Sequence, residues 1–184
     1  KSNHKSSIGI GHTRWATHGE PTTIHAHPHN DETNLFTIIH NGIIENHYTL
    51  KTYLKEKGIS FKSDTDTEVL VQLIGYIHKT QKLDFFNTVK SALKEVVGAY
   101  GIIVMKKDRP DVLIAARHGS PLILGLGDNE KFIASDPSAI IEYSRNILFL
   151  DDGEIVEVSS DAYTIKHIDH DNEIIKKSKE IEYS

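Results

Sequence analysis

Apolar positions recur along this chain with two different periods. Leu35-Phe36-Thr37-Ile38-Ile39 is a short continuous apolar run, the pattern of a strand buried on both faces, and Asn41-Gly42 is expected to end it. From Ile43 the period turns helical. Ile43, Ile44, His47, Leu50 and Leu54 share one face, and Gly58 stands where a left-handed C-terminal residue belongs. A second helix is predicted at the acidic run Ser63-Asp64-Thr65-Asp66-Thr67-Glu68. Thr65 and Glu68 have capping-box spacing, and Val69, Leu70, Leu73, Ile74 and Ile77 form an apolar stripe. A third is predicted over about residues 84–97, with Phe85, Phe86, Val89, Leu93 and Val96 inward and Gly98 after it.

The second half alternates with the shorter period of strands. Segments 100–105 and 112–116 flank Lys107-Asp108-Arg109-Pro110, and 122–126 and 132–134 flank Gly127-Asp128-Asn129-Glu130; both read as hairpins. Segments 147–150 and 154–158 flank Asp151-Asp152-Gly153, which reads as a third hairpin, and 163–168 is a last strand. Ser135-Asp136-Pro137 starts a short helix carrying Ala139, Ile140 and Ile141, with proline near the first helical position. Residues 8–16 contain a short strand-like segment of mixed pattern, and the tail after His170 is polar. Hairpins outnumber strand–helix–strand units, so the sheets should be largely antiparallel and the class α+β.

The 184 residues favour one domain with ample chain for a core, and 38% hydrophobic and 26% charged residues fit a soluble globular protein. A formal charge of −5 with no basic block gives no electrostatic reason to bind nucleic acid. No apolar run approaches the roughly 20 residues of a membrane span, and the basic start Lys1-Ser2-Asn3-His4-Lys5 lacks the apolar stretch of a secretory signal. A cytoplasmic location is the default expectation and not a deduction. The chain has no cysteine, which excludes disulfides and thiolate metal sites within these residues.

The runs His12-Thr13-Arg14-Trp15-Ala16-Thr17-His18-Gly19 and His40-Asn41-Gly42-Ile43-Ile44-Glu45-Asn46, with the acidic run, carry the candidate chemistry. Arg14 is either a surface ion-pair partner or a bidentate clamp on a carboxylate, to which its planar guanidinium is suited. Trp15, the only tryptophan, is either core or the anchor of a loop. Asn41-Gly42 is either a turn or an oxyanion hole formed by a side-chain amide and a glycine N–H. Asp66 either complements a helix dipole or binds a substrate ammonium. His25, His27 and His29 alternate, and His12, His18 and His40 lie nearby; these twelve-histidine-chain positions line a polar pocket more readily than they build a zinc site, since Pro28 interrupts the run.

Taken together, HTRWATHGEPT, AHPH, HNGIIENH, SDTDTEV and FIASDPSAI resemble the glutaminase domain of the glutamine–fructose-6-phosphate aminotransferases, class II glutamine amidotransferases. The resemblance covers the chain from Ile8 to about Glu180. It implies the αββα four-layer sandwich of the N-terminal-nucleophile hydrolases, with no cofactor and no metal. It implies hydrolysis of L-glutamine, with ammonia passed to fructose 6-phosphate in synthase domains beyond this sequence. In that scheme Arg14 binds the glutamine α-carboxylate, with Thr17 and His18 in the same closing loop. Asp66 binds the α-ammonium, Asn41 and Gly42 form the oxyanion hole, Trp15 sits on the ammonia path, and His27 lines the pocket. The family's nucleophile is an N-terminal cysteine whose own α-amine is the base. The resemblance thus implies that residues 1–184 are a glutaminase domain without its nucleophile segment and first strands and without the sugar-isomerase domains. Such a piece should be inactive and poorly stable alone. The alternatives are a catalytically silent glutamine-binding module and a His-rich metal-binding protein.

Overall fold

Alternating side chains along β2 (Phe36–Ile44) place Phe36 and Ile38 on one face and Ile39 on the other, all buried. The two faces serve two different cores, and this sets the architecture. The computed structural model describes residues 7–13 and 22–181. Its further elements are β1 (His29–Asn30), α1 (His47–Glu56), α2 (Asp66–Gln81), α3 (Phe85–Lys94), β3 (Gly98–Lys106), β4 (Arg109–His118), β5 (Ile123–Gly127), β6 (Glu130–Ala134), β7 (Asn146–Phe149), β8 (Glu154–Val158), β9 (Tyr163–His167) and β10 (Lys179–Glu180).

The strands form a six-stranded sheet, β1-β2-β3-β4-β8-β9, and a four-stranded sheet, β10-β7-β5-β6, with every neighbouring pair antiparallel. The helices cover one face of the larger sheet, where Leu54, Leu70, Ile74 and Leu93 pack with Phe36, Ile38, Ile102 and Ile114. Its other face meets the smaller sheet through Ile39, Ile103, Leu124, Leu148 and Val156. The outer face of the smaller sheet is covered, among the described residues, by the turn after a 3-10 helix, Pro137–Ala139, whose Ile140 packs on Ile123 and Ile147. Each such fully buried aliphatic side chain contributes about 1.5–3 kcal/mol relative to exposure. This is the expected α+β sandwich with antiparallel sheets.

The caps follow the sequence closely. At the end of α1, Gly58 takes φ +85, and its N–H donates to the Lys55 carbonyl while the Ile59 N–H donates to Leu54, a Schellman arrangement. Thr65 caps α2 by accepting the Glu68 N–H at 3.2 Å. The Glu68 carboxylate reaches back past the cap residue to the backbone N–H groups of Lys62 and Ser63. Asp84 caps α3 through the Asn87 N–H.

Three expectations are corrected, and the structure adds one feature on which the sequence made no statement. Asn41-Gly42 does not end the strand: β2 continues to Ile44, with Ile43 opposite Ala99 and Ile44 opposite Gly98. The ladder persists because small residues on β3 let the two backbones run close together, and the helix waits until His47. Ile43 accordingly leaves the helical stripe and is exposed. The proposed third hairpin does not form either. β7 belongs to the smaller sheet and β8 to the larger, so Asp151-Asp152-Gly153 carries the chain from one sheet to the other. The crossing is pinned by Arg117, which donates to the Leu150 carbonyl at 2.8 Å and to Asp152 at 2.9 Å. Residues 8–13 of the strand-like N-terminal segment are irregular, with Ile10 packed against the inter-sheet core. Finally, the polar tail is anchored. Lys179 and Glu180 pair with β7, and the Lys176 ammonium sits on Asp151 at 2.6 Å and on the buried Glu154 at 2.7 Å.

Candidate functional site

The site grows from the unexpected continuation of β2. By strand alternation Asn41 lies on the same face as Ile39, toward the second sheet, while His40 turns toward the helices. Gly42 has φ +122, and a Cβ there would collide with the Ala99 carbonyl oxygen, so no side chain fits this strand crossing. Asn41 and Gly42 thus sit at the end of a rigid ladder. The Asp66 carboxylate, buried in the first turn of α2, accepts the Ile44 N–H at 2.8 Å. That bond fixes the positive N-terminal end of α2 two residues beyond Gly42.

A cavity of about 530 Å³ opens beside Asn41. His12, Thr13, Gly101, Leu122 and Ser135 are among its lining residues, so it lies where the two sheets part. It is apolar toward Ile39 and Ile103 and polar toward Asn41 and His12, the composition of a small-molecule site with few orienting groups.

Histidines frame this end of the sheet. His40 is buried, with Nδ1 3.0 Å from the Thr67 hydroxyl and Nε2 3.4 Å from the Ala99 carbonyl. Burial pushes its pKa below the usual 6.5, with the Asp66 charge opposing that shift. β1 ends before it can pair with the His40 backbone, and His27 takes over: its Nδ1 accepts the His40 N–H at 3.2 Å. The His27 ring stacks on His12, with centroids 4.2 Å apart, and meets His29 edge-on at 5.2 Å. His29 Nε2 lies 3.1 Å from the Thr65 hydroxyl that caps α2. His12 Nε2 lies 2.6 Å from the Asn41 side-chain oxygen. The rings thus stack and bond to protein groups, and among the described residues no three of His, Cys, Asp and Glu converge as metal ligands.

Of the sequence candidates, Asn41, Gly42, Asp66 and His27 come together around the end of β2. Arg14, Trp15, Thr17 and His18 lie outside the described residues. One neighbour, Thr67, was not singled out by the sequence, and His12 was named only among the pocket-lining histidines. Thr67, between His40 and His27, is an ordinary helix residue by pattern. His12 opens the HTRWATHG run, but nothing local to it announces a bond to a residue twenty-nine positions away.

No described helix is long and apolar enough to cross a membrane. In solved structures the fold is similar to that of the allosteric regulatory enzyme of purine biosynthesis, with a TM-score of 0.73 and 24% identity over 85% of this chain and 34% of that one. It is also similar to the B. subtilis glutamine phosphoribosylpyrophosphate amidotransferase complexed with ADP and GMP, with a TM-score of 0.69 at the same identity and coverage. These likenesses show the fold, a layered α+β sandwich that this chain shares. In sequence it is 51% identical over 153 residues to the glutamine–fructose-6-phosphate aminotransferase (isomerizing) of Bacteroides thetaiotaomicron, covering 83% of this chain and 25% of the relative. It is 46% identical over 179 residues to that of Fusobacterium nucleatum, covering 97% of this chain and 29% of the relative. The chain therefore spans between a quarter and a third of the length of these relatives. Residues 12–142 match the family described as glutamine amidotransferase domain. On that match, and on the likeness in sequence across nearly its whole length, the chain belongs to the glutamine amidotransferases.

Proposed function

We propose that this chain is the glutamine-hydrolysing part of a larger enzyme, and that its ammonia is delivered to fructose 6-phosphate in a separate synthase portion. The observation that carries the reading is the end of β2. A backbone that only glycine can adopt, a neighbouring carboxamide at a cavity, and a buried carboxylate held to the same strand are the groups a glutamine side chain and its α-ammonium require. The alternative of a metal-binding protein gains no support from histidines already committed to stacking and hydrogen bonds.

In the proposed reaction Arg14 pairs with the α-carboxylate, Asp66 with the α-ammonium, and Thr17 and His18 close over the bound amino acid. Trp15 stands where ammonia leaves, and His27 supports the pocket wall. A cysteine thiolate attacks the side-chain amide carbon, and the carbonyl electron pair moves onto oxygen. Asn41 Nδ2 and the Gly42 N–H donate to that oxyanion, a contribution of about 3–4 kcal/mol per donor at the transition state. The C–N bond breaks, ammonia leaves with the proton taken from the thiol, and water then cleaves the thioester to glutamate. These 184 residues contain no cysteine, so the thiol is contributed from sequence preceding Lys1, and this segment alone turns nothing over. The reaction belongs in the cytoplasm, where glutamine and sugar phosphates meet.

Binding tests the pocket apart from the chemistry. Titration calorimetry of the protein produced from its native start codon should show stoichiometric L-glutamine binding, with D-glutamine and glutaramide much weaker. Equal affinity for glutaramide, which lacks the α-ammonium and carries a neutral carboxamide in place of the α-carboxylate, would contradict the assigned roles.

A further inference from the structure

An oxyanion hole made from an asparagine side chain has an intrinsic weakness. The carboxamide is two-faced, and a rotation of 180° replaces the donor with an acceptor aimed at the developing negative charge. Asn41 is solvent-exposed, so packing alone does not choose its face. Among the described residues, the side-chain partner that chooses it is His12, whose Nε2 lies 2.6 Å from Asn41 Oδ1. An imidazole N–H donating to Oδ1 leaves Nδ2 and its two hydrogens directed away from His12. Were the amide reversed, two donors would face each other.

His12 is itself held in place. Its ring lies nearly parallel to His27, at 15° and 4.2 Å, and its Nδ1 is buried with no partner among the described residues. That arrangement leaves Nε2 as the nitrogen that engages Asn41. His27 cannot swing away, because its Nδ1 accepts the His40 backbone N–H and its Nε2 lies 3.4 Å from Thr67 on α2. A continuous stack therefore runs from the α2 terminus that carries Asp66 to the Asn41 carboxamide.

We infer that His12 is a positioning residue for glutamine hydrolysis: by donating to Asn41 Oδ1 it locks the carboxamide with its NH2 group toward the reacting carbonyl. The inference rests on the oxyanion role proposed above for Asn41. It requires no contact between His12 and the substrate and no proton transfer by its ring. It predicts a kcat effect with little change in KM, because the donor matters once charge develops on oxygen.

The test uses the protein produced from its native start codon, assayed for ammonia release from L-glutamine. Asn41→Ala should lower kcat by about a hundred- to a thousandfold. His12→Phe keeps a ring to stack on His27 but removes the donor, and should lower kcat by about tenfold or more with KM within about twofold. His12→Gln, whose amide can donate to the same oxygen, should recover most of the loss. In the Asn41→Ala background His12→Phe should cost nothing further, since the group it orients is gone.

Full kcat in His12→Phe alongside a damaged Asn41→Ala would overturn the positioning role and leave the oxyanion hole standing. An additive loss in the double variant, or no recovery in His12→Gln, would overturn it in favour of a merely structural histidine. An undamaged Asn41→Ala would remove the oxyanion role and the inference with it. The hydrogen bond is also read without turnover. The Asn41 side-chain NH2 resonances in a 15N spectrum should move in His12→Phe and return toward their original positions in His12→Gln. Resonances indifferent to both changes would overturn the inference even if the wild-type protein released no ammonia.

Discussion

Single residues at the end of β2 are under unusual constraint. Gly42 combines φ +122 with a contact that leaves no room for a Cβ, and Gly98 on the facing strand repeats both features against the Ile43 carbonyl. Asn-Gly in the sequence was legible as a special backbone position, and a cavity opens beside Asn41. The turn reading fails because the glycine serves close strand approach rather than chain reversal. His40 gives this site a signature in pH. Its folded pKa is lowered by burial, against Asp66, whose charge raises it, with the Thr67 hydroxyl, the Ala99 carbonyl and His12 as its other neighbours. Below about pH 6.5 the unfolded chain takes up this proton more readily than the folded one. The contribution of the neutral ring is therefore fully present above that value and lost as the pH falls toward the lowered folded pKa. His40→Gln should flatten this dependence: the difference in urea midpoint between pH 7.5 and pH 5 should be smaller than in the wild type. An unchanged or larger difference would show that the buried imidazole is not its source.

At the scale of elements, the start of α2 joins fold to site. Thr65 caps the helix, lies 3.0 Å from the Ser63 hydroxyl and meets His29 at 3.1 Å, while the next residue, Asp66, faces β2. Thr65→Ala should cost about 1–2 kcal/mol of stability in denaturant titration, and Thr65→Ser should restore most of it. Equal stability in all three would mean that the cap hydroxyl is not used. This helix was legible from its capping box and apolar stripe because both signals are local. What was not legible had distant causes. The continuation of β2 past Gly42 depends on Ala99 and Gly98, far along the chain. The sheet exchange at Asp151-Gly153 follows a turn with ordinary hairpin composition, and segments 147–150 and 154–158 have the alternation that either sheet would accept. Only the partners, β5 for one and β4 for the other, separate them. Likewise His12 and Thr67 gain their places from contacts that no spacing rule encodes.

Across the whole molecule, the two sheets must hold a fixed separation for the cavity at their parting edge to keep its shape. The chain crosses between them at Asp151-Gly153, and the tail returns over that crossing through Lys176, whose ammonium bridges Asp151 and the buried Glu154 and donates to the Phe149 carbonyl at 2.8 Å. Removing the cation leaves a buried carboxylate whose remaining hydrogen-bond donor, among the described residues, is the Asp151 N–H. Lys176→Met should therefore destabilise the fold by about 3 kcal/mol, and Glu154→Gln in the same chain should recover part of that loss. A Lys176→Met protein as stable as the wild type would show the strap to be incidental. The central claim is tested most directly by ammonia release from L-glutamine, measured on the protein produced from its native start codon with and without a thiol-blocking reagent. The account predicts release that the reagent abolishes, placing the nucleophile on a cysteine outside these 184 residues. A folded protein that binds glutamine but releases no ammonia, or one whose release survives thiol blocking, would contradict it.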